Sequence, residues 1–164
     1  MPFLQDLYER THETVHLGIR EGQEVVYIAK IGGRRQARAP SRAGGRMPLH
    51  CTAIGKALLA FGDSSLRREV LTGSLERRTP HTVVAPGLLR RQLAQVVKSG
   101  VAFEYEESAP GINCVAAPVF GPGNELMAAL SLTGPTSRFR PGAHSLTIRA
   151  AASALTATLT SAAQ

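Results

Sequence analysis

The chain has only two cysteines, no tryptophan and a shortage of acid, with 12 Asp and Glu against 19 Lys and Arg. Cys51 and Cys114 lie in no CxxC pattern and beside no secretion signal, which excludes a disulfide scaffold and leaves reduced thiols as the default. The opening Met1-Pro-Phe-Leu-Gln-Asp-Leu7 is too acidic and too poor in apolar residues for a signal peptide. No uncharged stretch reaches the ~20 apolar residues of a membrane span. A cytoplasmic protein with no membrane contact is expected. The five histidines show no HExxH or other metal-ligand spacing, and neither a GxSxG elbow nor a P-loop occurs, so no metal, cofactor or catalytic residue is assigned.

What is present fits one domain. The 164 residues are 43% hydrophobic and 19% charged, enough to bury a sizeable core. The net charge of +7 invites a nucleic-acid reading, because clustered Lys and Arg release counterions from phosphate. Position tempers it: Arg34, Arg35, Arg38, Arg42 and Arg46 share an acid-free, Gly-containing segment from Gly32 to Arg46, which reads as a loop and not as a groove-reading helix. No recognition helix, RNP-type aromatic motif or zinc-finger spacing is found. A solvated surface is the plainer account of these arginines, with a partner-contacting loop second.

Periodicity divides the chain in the order α, ββ, ααα, βββ, α. A helical stripe runs through Phe3, Leu4, Leu7, Tyr8 and Thr11. Val15, Leu17 and Ile19 then alternate with polar or small residues, and Glu21-Gly-Gln-Glu24 turns the chain into a β-branched run from Val25 to Ile31. Helices are expected from near Cys51 to Gly62, from an Asp63 cap to Gly73, and from Pro86 to Gly100. Strands are expected over Val101–Glu106, Asn113–Phe120 and Glu125–Thr133, before a closing Ala-rich helix. The expected class is α+β, with a mainly antiparallel sheet flanked by helices.

The stretch from Met47 to Phe61 carries the most chemistry. An extended, proline-containing entry passes through small polar residues into a helix whose Ile54, Ala57, Leu58 and Phe61 form a buried stripe. The first N–H groups of such a helix lack acceptors and attract an anion, and Lys56 is expected to add charge there. The plainer alternative is a helix start that binds water or a neighbouring side chain. Period two places Ser131 and Thr133 on one face of their strand, and Ile112, Cys114 and Ala116 on one face of the next. Glu104 alternates with Phe103 and Tyr105, where a carboxylate turned to the core needs a partner. Two readings stay open: these groups line a ligand cavity, or the glutamates are solvated edge charges and the hydroxyls bond locally. A Cys–His nucleophile pair of His50 with Cys51 or Cys114, as in a hydrolase, lacks a third orienting group.

Pro48-Leu-His-Cys-Thr-Ala-Ile-Gly-Lys-Ala-Leu-Leu-Ala60, Gly100-Val-Ala-Phe-Glu-Tyr-Glu-Glu107, Gly111-Ile-Asn-Cys-Val-Ala-Ala-Pro-Val119 and Ala128-Ala-Leu-Ser-Leu-Thr-Gly-Pro135 occur in this order and spacing. Together they resemble the effector-binding domain of the IclR family of bacterial transcription regulators. The resemblance implies a GAF-like fold spanning residues 15–164, preceded by a linker helix over 1–14. It further implies a homodimer or homotetramer that binds a small organic acid and does no catalysis. The acid's carboxylate would meet the Ala53 and Ile54 N–H groups, Cys114, Ser131 and Thr133 its other polar atoms, and Met47 and Ile112 its apolar side. Glu104 stands where the family often has Asp, so its extra methylene would either shrink the cavity or draw the carboxylate away, and Thr133 stands where the family often has Ser, which would narrow the site by a methyl group. The family's winged helix-turn-helix is expected to be absent from this chain, leaving DNA contact to a region outside it; an excised regulatory domain and a stand-alone ligand-binding module both fit.

Overall fold

In the computed structural model, which describes residues 2–32 and 43–164, neighbouring strands all run antiparallel. The elements are α1 (Pro2–Thr11), β1 (Thr14–Glu21), β2 (Glu24–Ile31), β3 (Arg46–Pro48), α2 (Ala53–Phe61), α3 (Ser64–Thr72), α4 (Pro86–Ser99), β4 (Ala102–Tyr105), β5 (Ile112–Phe120), β6 (Leu126–Pro135) and α5 (Ser145–Ala162). A 3-10 turn over Pro141–His144 leads into α5. The strands form a six-stranded sheet in the order β3-β2-β1-β6-β5-β4. This is the expected α+β, GAF-like arrangement. Arg34, Arg35, Arg38 and Arg42 lie outside the described residues.

Both faces of the sheet are covered, and strand alternation sorts the side chains between them. Val15, Leu17, Val115, Ala117, Leu130 and Leu132 point to a core shared with Leu4 and Leu7 of α1 and Ile148, Ala152 and Leu155 of α5. The opposite set, including Val25, Tyr27, Cys114, Ala116 and Ala129, meets α2 and α4. A bulge in β2 keeps this division. Leu17 pairs with Ala29 but Gly18 with Tyr27, so Ile28 is unmatched and is exposed. Without the extra residue Val25, Tyr27, Ala29 and Ile31 would share one face; with it, Ala29 and Ile31 turn to the α1 and α5 side while Tyr27 stays on the α2 side.

Local signals explain the element ends. Asp63 accepts from Ser65 N–H at 3.0 Å and caps α3. Pro86 occupies the first turn of α4, and Gly100 at φ 81° closes it in the left-handed region. The extended entry before α2 proves to be a strand, β3, pairing with Glu24–Val26. Alternation alone cannot reveal a strand of three residues.

Buried from Ala53 to Ala60, α2 is the central helix. It lies against the sheet on one side and α4 on the other. Two glycines permit the close approach. A Cβ on Gly18 would sit 3.0 Å from Ile54 Cγ2, and a Cβ on Gly55 would overlap the Leu49 carbonyl oxygen and Cα. Since the obstacle at Gly55 is backbone, it cannot swing aside. Gly55→Ala should therefore lower stability by about 2 kcal/mol or more. Chemical denaturation measures this, and an unchanged midpoint would mean that the α2 start moves freely against Leu49.

Candidate functional site at the start of α2

Thr52 sets the geometry of the site. As N-cap its hydroxyl accepts from Gly55 N–H at 3.0 Å and donates to the Pro48 carbonyl at 2.9 Å, while its carbonyl accepts from Lys56 N–H at 2.9 Å. Those bonds leave the Ala53 and Ile54 N–H groups, the first two of the helix, without intrahelical acceptors. They open onto a cavity lined by Met47, Ala53, Ile54, Glu104, Ile112, Cys114, Ser131 and Thr133, so the eight residues expected to meet the acid come together in one place. Four further residues line it: His16, Tyr27, Thr52 and Ser108. His16 and Tyr27 were legible in principle, since they share strand parity with Gly18 and Val25. Ser108 sits in the loop between β4 and β5, where only the tertiary fold brings it in.

Sheet register aligns the polar lining. Cys114 pairs with Thr133, Ala116 with Ser131 and Glu104 with Cys114 across adjacent strands. The Cys114 Sγ and Thr133 Oγ1 atoms are 3.1 Å apart. Glu104 is 1% exposed and accepts from Ser108 N–H at 2.9 Å and Ser108 Oγ at 2.5 Å. The reading of Glu104 and Glu107 as solvated edge charges is thereby corrected: both are buried, because their strand end lies under α2 and α4. Free space in the cavity is about 20 Å³, room for one water.

A second correction concerns Lys56. Its side chain leaves the site, crossing to Glu107 with Nζ–Oε2 at 2.5 Å and to the Phe103 carbonyl at 3.3 Å. The pair satisfies a buried ammonium, so Lys56 adds no free charge at the anion-attracting helix start. What remains there is the partial charge of the backbone.

The environment suppresses covalent chemistry. Burial pushes the Cys114 thiol well above its ordinary range, helped by Glu104, and lifts Cys51 to about 12. Burial also lowers His16 to about 3, keeping it neutral. An activated Cys–His pair needs the opposite shifts. His50, the other candidate base, has Nε2 2.8 Å from the Glu76 carbonyl and does not line the cavity. Among the described residues no group of three or more His, Cys, Asp or Glu is placed to hold a metal ion. Nor is any helix among them long and apolar enough to cross a membrane.

With this geometry, residues 1–157 match the family described as "Bacterial transcriptional regulator IclR C-terminal". The chain belongs to the IclR family. IclR relatives include the HTH-type transcriptional regulator XynR of Escherichia coli K12, 43% identical over 83% of this chain and 54% of that protein. KdgR of Dickeya chrysanthemi is 40% identical over 83% of this chain and 45% of its own length. The chain thus spans about half the length of the curated relatives it matches. Among solved structures, Thermotoga maritima IclR superposes with a TM-score of 0.91 at 34% identity, over 97% of this chain and 66% of that one. An IclR homolog from Microbacterium hydrocarbonoxydans, complexed with 4-hydroxybenzoate, superposes with a TM-score of 0.91 at 27% identity, over 96% and 65%. The family is one of regulators and not of enzymes, and the hydrolase reading falls with it.

Glu104 makes the site pH-sensitive. Burial, partly offset by the two Ser108 bonds, raises its carboxyl from 4.5 to about 7. A carboxyl with a raised folded value holds its proton more tightly when folded, so its contribution to stability is full below about pH 4.5 and is lost as pH rises through about 7. Glu104→Gln should consequently gain stability relative to the unsubstituted chain between pH 5 and pH 8, by on the order of 2–3 kcal/mol. Denaturation of both proteins at each pH cancels the opposing drift of His16. A difference constant with pH would mean that Glu104 titrates in its ordinary range.

Proposed function

We propose that this chain is the effector-sensing and oligomerisation region of an IclR-type regulator, and that its ligand is a small organic carboxylic acid. The observation that carries the reading is the α2 start: two N–H groups without intrahelical acceptors, carrying the helix's positive end, face a cavity of hydroxyls and a thiol. A carboxylate accepts from Ala53 and Ile54, while Ser131, Thr133 and Cys114 bond its remaining polar atoms. Met47 and Ile112 cover its apolar part. That an IclR homolog of the same fold is complexed with 4-hydroxybenzoate agrees with an acid.

Glu104 gives the site a second property. Protonated, it sits beside an incoming anion without repulsion; ionised, it opposes the anion and accepts from a ligand hydroxyl or amine. Binding of an acid that places its charge near Glu104 therefore takes up a proton above pH 7. With room for only one water in the closed cavity, entry of the effector requires its lining to move apart. No bond is made or broken in the ligand. Occupancy shifts the balance between arrangements of a homodimer or homotetramer in a cytoplasmic regulator, and so the spacing of DNA-binding regions outside this chain.

A thermal-shift screen of the chain against small carboxylic acids and their neutral amides tests the anchor, since binding to the native state raises apparent stability. Stabilisation by an acid and not by its amide is the expected result; a flat panel, or equal effects of both members of a pair, defeats the acid reading. For an acid that binds, Ser131→Ala should weaken affinity by ~1 kcal/mol or more, about fivefold. Affinity should also fall as pH rises from 7 to 8, and Glu104→Gln should abolish that fall. Unchanged affinity in Ser131→Ala removes that hydroxyl from the contact.

A further inference from the structure

Between α4 and the β4 edge of the sheet runs a second groove of about 320 Å³, which shares no lining residue with the effector cavity. At its floor lies the Lys56–Glu107 ion pair, whose side chains are 1% and 5% exposed. A buried pair of this kind is stable when its remaining lone pairs are hydrogen-bonded. Glu107 uses Oε2 for Lys56, but its Oε1 has no donor, and neither has Gln92 Oε1, a second buried acceptor of the same groove. Beside them the Phe103 and Tyr105 rings, with centroids 6.3 Å apart and planes inclined by 35°, give the groove an aromatic flank. Nothing in the proposed handling of an acid at the α2 start uses these groups.

Their chemistry defines an occupant. Both free atoms are acceptors, so the occupant must donate. A cation would meet the Lys56 ammonium on the same carboxylate, together with Arg91 in the lining. An anion would find acceptors at the floor where it needs donors, and Glu107 opposing it. A neutral molecule with several hydroxyls and an apolar face satisfies the acceptors and rests on the aromatic flank. The volume lies at the small end of the range for ligand sites.

We propose that this groove is a binding site for a neutral polyol or monosaccharide, whose hydroxyls donate to Glu107 Oε1 and Gln92 Oε1 while its carbon skeleton lies on Tyr105 and Phe103. The site is distinct from the acid site and stands or falls separately. Glu107 directly precedes Ser108, a lining residue of the effector cavity, but the two cavities share no lining residue.

Titration of the nitrogen-15-labelled chain with xylose, glucose and mannitol, followed by amide chemical shifts, tests it. At least one of the three should give saturable shifts confined to residues 91–99 and 102–107, and Gln92→Leu and Tyr105→Ala should each weaken it by about tenfold. These two substitutions alter the groove wall while leaving the Lys56–Glu107 pair in place, and unchanged shifts elsewhere verify the fold. Three results overturn the proposal. One is the absence of saturable shifts with all three compounds. Another is shifts centred on Ala53, Ile54 and Ser131, which would put the compound in the effector cavity. The last is tighter binding of butylamine or acetate in the groove than of any hydroxyl compound.

Discussion

The close seating of α2 against Leu49 and the sheet is the constraint on which the rest depends. Gly55 lets backbone approach backbone, and Gly18 opens the sheet surface for Ile54. Held this near, α2 is buried along eight successive residues, and its helix start cannot drift from the polar atoms of β4, β5 and β6. The same burial leaves Lys56 no route to water. Its ammonium needs a carboxylate under the fold, and Glu107 supplies it. One backbone contact therefore fixes the helix start, the depth of the cavity and the buried ion pair.

Chemical reactivity is damped throughout this neighbourhood. Burial raises the thiols of Cys51 and Cys114, raises the Tyr27 phenol and lowers His16, in each case favouring the neutral form. Glu104 alone is brought to near neutrality, because the Ser108 bonds partly offset its burial. A pocket of neutral donors and acceptors with one adjustable carboxyl is suited to reversible recognition. It is poorly suited to nucleophilic attack, which needs a stable thiolate or an activated base.

Much of this was legible in the sequence, for identifiable reasons. Alternation along β5 and β6 put Cys114, Ser131 and Thr133 on faces that the register then joined, and capping signals at Asp63, Pro86 and Gly100 marked their helices. Ala53 and Ile54 followed from the small polar entry to α2. Other features were hidden because they depend on contacts remote in sequence. Lys56 read as a charge for the helix start, since nothing local shows that Glu107, 51 residues on, claims it. The bulge at Ile28 reverses a face within an unbroken β-branched run, and β3 is too short for any period to register. Ser108 lies in a turn sequence whose composition gives no sign of a buried hydroxyl on Glu104.

The wall that Ser108 belongs to is itself held from outside. Thr79 Oγ1 donates to the Glu106 carbonyl at 2.6 Å and Thr82 Oγ1 to the Glu107 carbonyl at 2.7 Å, while Thr82 Oγ1 also accepts from the backbone of Arg78 and Thr79. Residues 74–85 have no helix or strand, yet these two hydroxyls tie them to the backbone that leads into Ser108. Threonines that do not line the cavity thus hold the backbone of the segment that leads to one of its lining residues. A binding surface in this fold therefore depends on side chains outside it: loss of either hydroxyl would take a donor from the Glu106 or Glu107 carbonyl and loosen the backbone next to Ser108.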